Sequence, residues 1–114
     1  MSLVTDDMVE AALAAIGEDE AKKAASAAAD LVRAEAKTKR VLSELRRRAP
    51  AACTSNPAKE DWARAHCDHI EAVEEEAEAR GRVEYHRATR TGAIAIIDAW
   101  RSEQASARGA QRIG

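Results

Sequence analysis

From Ala24 to Leu45 the apolar positions recur at alternating spacings of three and four: Ala24, Ala27, Leu31, Ala34, Thr38, Val41 and Leu45. Heptad spacing of this kind draws one narrow apolar stripe along a helix and leaves wide polar faces beside it. A second stripe runs through Ala63, Ile70, Val73 and Ala77, then shifts phase and continues as Gly81, Tyr85, Ala88, Gly92, Ala95 and Ala99. Small residues on both stripes predict two helix axes at the short end of the usual ~8–10 Å separation. Close packing on that stripe is also one reason for a helix to tolerate Gly81 and Gly92, each of which costs up to about 1 kcal/mol against Ala when exposed. No segment carries a competing β signal.

Boundary residues divide this pattern. Thr5 is an N-cap, with Asp6 and Asp7 in the first turn. Gly17 marks a possible break, after which Glu18, Asp19 and Glu20 restart a helix. The two prolines, Pro50 and Pro57, bracket "PAACTSNP", the one stretch with loop chemistry. Pro57 suits the first position of a new helix. The expected organisation is a single helical hairpin domain over residues 1–114, with a helix over about 6–48, a loop over about 49–56 and a helix over about 57–107. Pairs such as Glu18–Lys22, Glu60–Arg64 and Glu76–Arg80 lie four residues apart and each adds ~0.3–0.5 kcal/mol to an isolated helix.

Folding the chain at the proline loop sets Val41 and Leu45 against Trp62 and His66, and Leu31 against Ala77. It also sets Met8, Val9 and Leu13 against "AIAIIDAW", Ala93 to Trp100, so the two richest apolar patches coincide. The fold class predicted is all-α, a long antiparallel helical hairpin. Ile94, Ile97 and Trp100 spread over roughly 120° of helix, more than one facing helix covers. The expectation is therefore a homodimer, closing into a four-helix bundle, with an interface at Ile94, Ile97, Trp100, Met8 and Leu13.

Composition sharpens this picture. Apolar residues make up 46% of the 114, yet there is no Phe, one Tyr and two Trp, and alanine supplies most of the count. At roughly 25 cal/mol per Å² of buried apolar surface, an alanine seam contributes far less than a Leu/Phe core, which again favours association. A net charge of −2 excludes no partner. No apolar run approaches the ~18–20 residues that span a bilayer, and "MSLVTDDMVE" lacks the basic and apolar regions of a signal peptide. Two cysteines, Cys53 and Cys67, form no CxxC pair, and a reduced, cytoplasmic setting is the default.

Candidate chemistry is sparse. "HCDHIEAVEEE", His66 to Glu76, gathers two histidines, a cysteine and several carboxylates. A di-metal bundle needs Glu-x-x-His, but the residues three before the histidines are Ala63, His66 and Val83. On one continuous helix Cys67 points ~100° away from His66, and the facing helix offers only Arg40, Ser43 and Glu44. No metal site is therefore expected: the histidines read as half-exposed side chains at the loop end, and Glu74, Glu75, Glu76 and Glu78 as a solvated face. Arg80, Arg87, Arg90, Arg101 and Arg108 fall within roughly 80° of arc and could track phosphates. Ile94 and Ile97 lie among them, Glu84 and Asp98 sit at the edge, and no aromatic interleaving supports base stacking. No phosphate loop or nucleophile motif is present, so no enzyme activity and no cofactor are expected.

The C-terminal run "EYHRATRTGAIAIIDAWRSEQASARG", Glu84 to Gly109, with its "YHRA" stretch and "AWR" followed by further arginine, resembles small, highly charged helical-hairpin proteins encoded by phages and prophages. The resemblance covers about a quarter of the chain and implies a setting rather than site residues. That setting is a bacterial cytoplasm and an accessory protein that binds and modulates host or phage machinery, including defence systems. Together the readings predict a non-catalytic protein-binding modulator with an unidentified protein partner. A nucleic-acid-binding accessory of replication or recombination, using the arginine stripe, is the alternative.

Overall fold

The computed structural model describes residues 3–113. Among these the fold is all-α, a helical hairpin of four helices with no strand: α1 (Asp6–Ala15), α2 (Glu18–Arg47), α3 (Asn56–Ala65) and α4 (Cys67–Ile113). The caps form where side-chain chemistry places them. The Thr5 hydroxyl accepts the Met8 N–H at 3.2 Å, and Ser55 accepts that of Ala58 at 3.2 Å, with Pro57 in the first turn of α3. Gly17 separates α1 from α2. Its N–H donates to the Ala14 carbonyl at 3.2 Å, and its own carbonyl accepts from Ala21 at 3.0 Å, so one residue closes one helix and opens the next. A β-carbon there would lie 3.3 Å from the Ala14 oxygen. After α2, the Cys53 N–H donates to the Pro50 carbonyl at 2.9 Å and turns the chain.

A second break falls at His66, where the sequence predicts a continuous helix. His66 adopts φ −69° and ψ 140°, ends α3 with its N–H on the Ala63 carbonyl, and starts α4 with its carbonyl accepting from His69 and Ile70. Its ring completes the cap: Nδ1 accepts the Asp68 N–H at 3.1 Å. An imidazole here does what Ser or Asn does at an ordinary N-cap.

The chain forms two compact units. The unit comprising residues 26–83 holds most of α2, α3 and the start of α4. Its α2 seam follows the predicted stripe: Ala27 and Leu45 are buried, and Leu31, Ala34, Thr38 and Val41 are half-buried. The α4 seam differs from the prediction by one position. His69, Ala72 and Ala79 are buried and Val83 half-buried, whereas Ile70 and Val73 are 47% and 44% exposed. Gly81 has open space around it, so close packing is not the reason for glycine there. Polar bonds join the helices: Lys37 to Glu75 at 2.8 Å, Arg46 to Glu60 at 2.6 Å and Arg80 to Glu35 at 3.5 Å. The Thr38 hydroxyl is shared between the Ala34 carbonyl of its own helix at 3.0 Å and the Ala72 carbonyl opposite at 3.3 Å. These pairs set Lys37 more than a turn of helix beyond the partner that the simple fold-back predicts, because α3 ends at His66 and α4 starts afresh.

The other unit, residues 3–25 with 84–113, holds α1, the first turns of α2 and the rest of α4. Ala12, Ala93 and Ile97 form its core, with Ala15, Ile16 and Ile96 packed against them. The two predicted segments meet, but α1 contributes Ala12, Ala15 and Ile16 to the core, while Met8 and Leu13 are 38% and 54% exposed. The seam of α4 here is Ala93, Ile97 and the half-buried His86 and Trp100. Tyr85, predicted on the seam, is 67% exposed, and a β-carbon placed on Gly92 would meet nothing within 4 Å.

Candidate functional site

α1 and α4 carry more apolar residues than they bury against each other. α1 turns Met8, Ala11 and Ala15 to one side of the shared core, and α4 turns Ala88, Gly92 and Ile96 to the same side. Between them runs an open groove of about 360 Å³, floored by Ala12 and Ala93, with Thr89 its one polar residue. Alanine and glycine keep its walls low, and helical spacing explains why they line up: residues 8, 11, 12 and 15 recur three and four apart, residues 88, 92 and 96 recur four apart, and each set shares a face. In the 26–83 unit the comparable hollows are lined by charged side chains, Lys37, Glu44, Arg48, Asp68 and Glu71 in one, and Asp30, Arg33, Glu75 and Arg82 among those of another.

The five residues predicted as a dimer interface do not form one surface. Met8 is 38% exposed and lines the groove. Ile97 is 7% exposed and belongs to the intramolecular core, so it offers no docking face. The reason is α1: it reaches the Ala93–Trp100 patch and covers its centre. Ile94 and Leu13 stay exposed, at 41% and 54%, and Trp100 is half-buried. What the sequence reading missed is the low wall of Ala11, Ala15 and Ala88. A signal existed in their shared spacing with Met8 and Ile96, but alanines read as seam or surface with equal ease.

The arginines are all exposed, and carboxylates compensate several of them. Arg80 pairs with Glu35 and Glu76, each at 3.5 Å, and Arg87 with Glu84 at 2.8 Å. Arg108 donates to the Gln104 carbonyl at 3.4 Å. Among the described residues, Arg90 and Arg101 form no ion pair.

No family model, curated protein or solved structure matches this chain.

The histidine cluster also departs from expectation. His69 is buried in the α4 seam, 7% exposed, with Nδ1 lacking a hydrogen-bond partner, rather than half-exposed at the loop end. His66 is half-buried, its ring centroid 5.3 Å from that of Trp62. Only on a continuous helix would Cys67 stand ~100° from His66, and the helix is interrupted there. Cys67 Sγ lies 3.9 Å from His66 Nδ1. Glu75 and Glu76 are half-buried and ion-paired with Lys37 and Arg80, while Glu74 and Glu78 face solvent. Glu60, receiving hydrogen bonds from Arg46 and then Arg64, is held below the ordinary carboxylate value.

Proposed function

We propose that this chain is a non-catalytic binding protein that docks an amphipathic helix in the α1–α4 groove, with a second copy of itself as the first occupant. The groove carries the reading. An amphipathic helix fits a hollow with low apolar walls by inserting side chains spaced three and four apart, and Met8 and Ile96 are side chains of that kind which a second copy would bring. Two such faces meeting about a two-fold axis give a four-helix arrangement. In the setting implied by the phage-protein resemblance, the same groove would hold a helix of the host or phage protein being modulated.

The arginine stripe supports the nucleic-acid alternative less well, since Arg80 and Arg87 already face carboxylates, and phosphate binding depends on uncompensated cations.

Sedimentation tests the reading. The parent chain is expected to associate reversibly at about 100 μM, a concentration that detects any dimer of micromolar affinity. Ala11→Glu with Ala88→Glu, both at exposed positions, is expected to yield a monomer of unchanged helicity. A parent that is monomeric at that concentration, or a double variant that associates as the parent does, overturns docking of a second copy.

A further inference from the structure

The break at His66 places three donor groups of different chemistry together, and the groove has no use for them. We propose that His66, Cys67 and Asp68 form a binding site for one zinc-class divalent ion. His66 Nδ1 lies 3.9 Å from Cys67 Sγ and 3.8 Å from Asp68 Oδ2, and Cys67 Sγ lies 3.7 Å from Asp68 Oδ1. An ion held tetrahedrally at the usual Zn–N, Zn–S and Zn–O lengths separates its donors by about 3.3–3.6 Å. The two edges to Asp68 end on different carboxylate oxygens; with one ligand atom from each residue, all three donors lie within 4.8 Å of one another, so loading rotates the exposed Asp68 carboxylate and closes the widest edge by up to roughly 1–1.5 Å.

The donor set selects the ion. Imidazole with thiolate and carboxylate suits zinc or cobalt, whereas magnesium and calcium require oxygen donors. The thiolate and the carboxylate together neutralise a divalent charge. Cys67 and Asp68 are exposed, so an ion enters without unfolding the chain, and the fourth corner of the tetrahedron faces water. Loading redirects one lone pair. His66 Nδ1 accepts the Asp68 N–H, and a bound ion would take that place. The freed N–H belongs to the first turn of α4, where helix donors have no partner within the helix and water serves them.

Cobalt(II) titration of the full chain reads the site directly, because a thiolate ligand gives a charge-transfer absorption band that nitrogen and oxygen ligands do not. The expected result is one Co²⁺ per chain with this band, displaced by Zn²⁺. The band persists in Cys53→Ser, the other free cysteine, and is absent in Cys67→Ser. His66→Asn keeps a side-chain acceptor for the Asp68 N–H, since Asn is a preferred N-cap, while removing the imidazole. It is expected to keep the parent's circular dichroism and to weaken binding by more than the roughly 10–100-fold that loss of an outer-sphere partner causes. Absence of the thiolate band in the parent overturns the site. So does a band that survives Cys67→Ser, affinity unchanged in His66→Asn, or one ion shared between two chains.

Discussion

The two units solve the problem of an alanine-rich core differently. In the 26–83 unit, Ala27, Ala63, Ala72 and Ala79 are buried along the seam, Leu45 at 1% exposure is its one fully buried large side chain, and the helices are tied by Lys37–Glu75, Arg46–Glu60, Arg80–Glu35 and the shared Thr38 hydroxyl. In the other unit, Ala12, Ala93 and Ile97 make the core, the Leu3 N–H reaches Glu103 at 2.9 Å, and an apolar groove lies open beside them. Both units bury little apolar surface. The first sets its register with polar pairs across the seam, and such pairs specify geometry more than they add stability. The second keeps its apolar residues in reach of another helix. A surface committed to charge pairs is satisfied by its own chain, whereas the apolar one is, on the proposed reading, completed by association.

The largest effect that breaks this comparison is Ile97→Glu. In a dimer interface this change would split the dimer and leave a folded monomer. In the core it buries an unpaired carboxylate, which costs several kcal/mol, so the 3–25 and 84–113 region is expected to melt. Hydrogen exchange should show those amides deprotected. A well-folded monomer would return Ile97 to the interface.

Leu45→Ala comes next. Truncating a buried Leu costs about 2–5 kcal/mol, and here few large neighbours share the load. Urea unfolding should show a loss in that range, with exchange quickened first in residues 26–83. A cost under about 1 kcal/mol, the level of a surface change, would mean that the polar ties rather than Leu45 hold this unit.

Glycine supplies a smaller effect of opposite sign. Gly81 lies mid-helix in open space, so Gly81→Ala is expected to stabilise by up to about 1 kcal/mol. Gly17→Ala is expected not to do so, because its methyl would meet the Ala14 carbonyl, a backbone atom, at 3.3 Å. Thermal melts of the two variants beside the parent decide the matter.

The smallest effect is pH-dependent. Glu60 has its folded-state value lowered by Arg46 and Arg64. Its contribution is fully present above the ordinary carboxylate value of 4.5 and is lost as pH falls through the lower folded value. Melting curves of Glu60→Gln and the parent should differ slightly at neutral pH and converge in acid. A gap that persists in acid would assign the difference to something other than the carboxylate's charge.

How much was legible in the sequence follows from residue types. The helical class, the cap at Thr5, the start of a helix at Pro57, the possible break at Gly17 and the α2 seam could be read because capping oxygens, proline, glycine and Leu/Val spacing carry strong local signals. The α4 seam could not, because its inward positions include His69, Glu76 and His86 beside alanines, while Ile70, Val73 and Tyr85 stand on the outside. Burying alanine gains so little that the apolar count favours the wrong face. The break at His66 has neither proline nor glycine to announce it, and with it went both the interhelical register and the meeting of His66, Cys67 and Asp68.

The alanine seam has a consequence for temperature. The heat capacity of unfolding grows with the apolar area newly exposed to water, and Ala12, Ala27, Ala63, Ala72, Ala79 and Ala93 expose little each. This chain should fall below the usual ~12–15 cal/mol/K per residue. Its stability curve is then shallow, sloping gently toward both heat and cold, and the groove keeps nearly the same scaffold beneath it from one temperature to another.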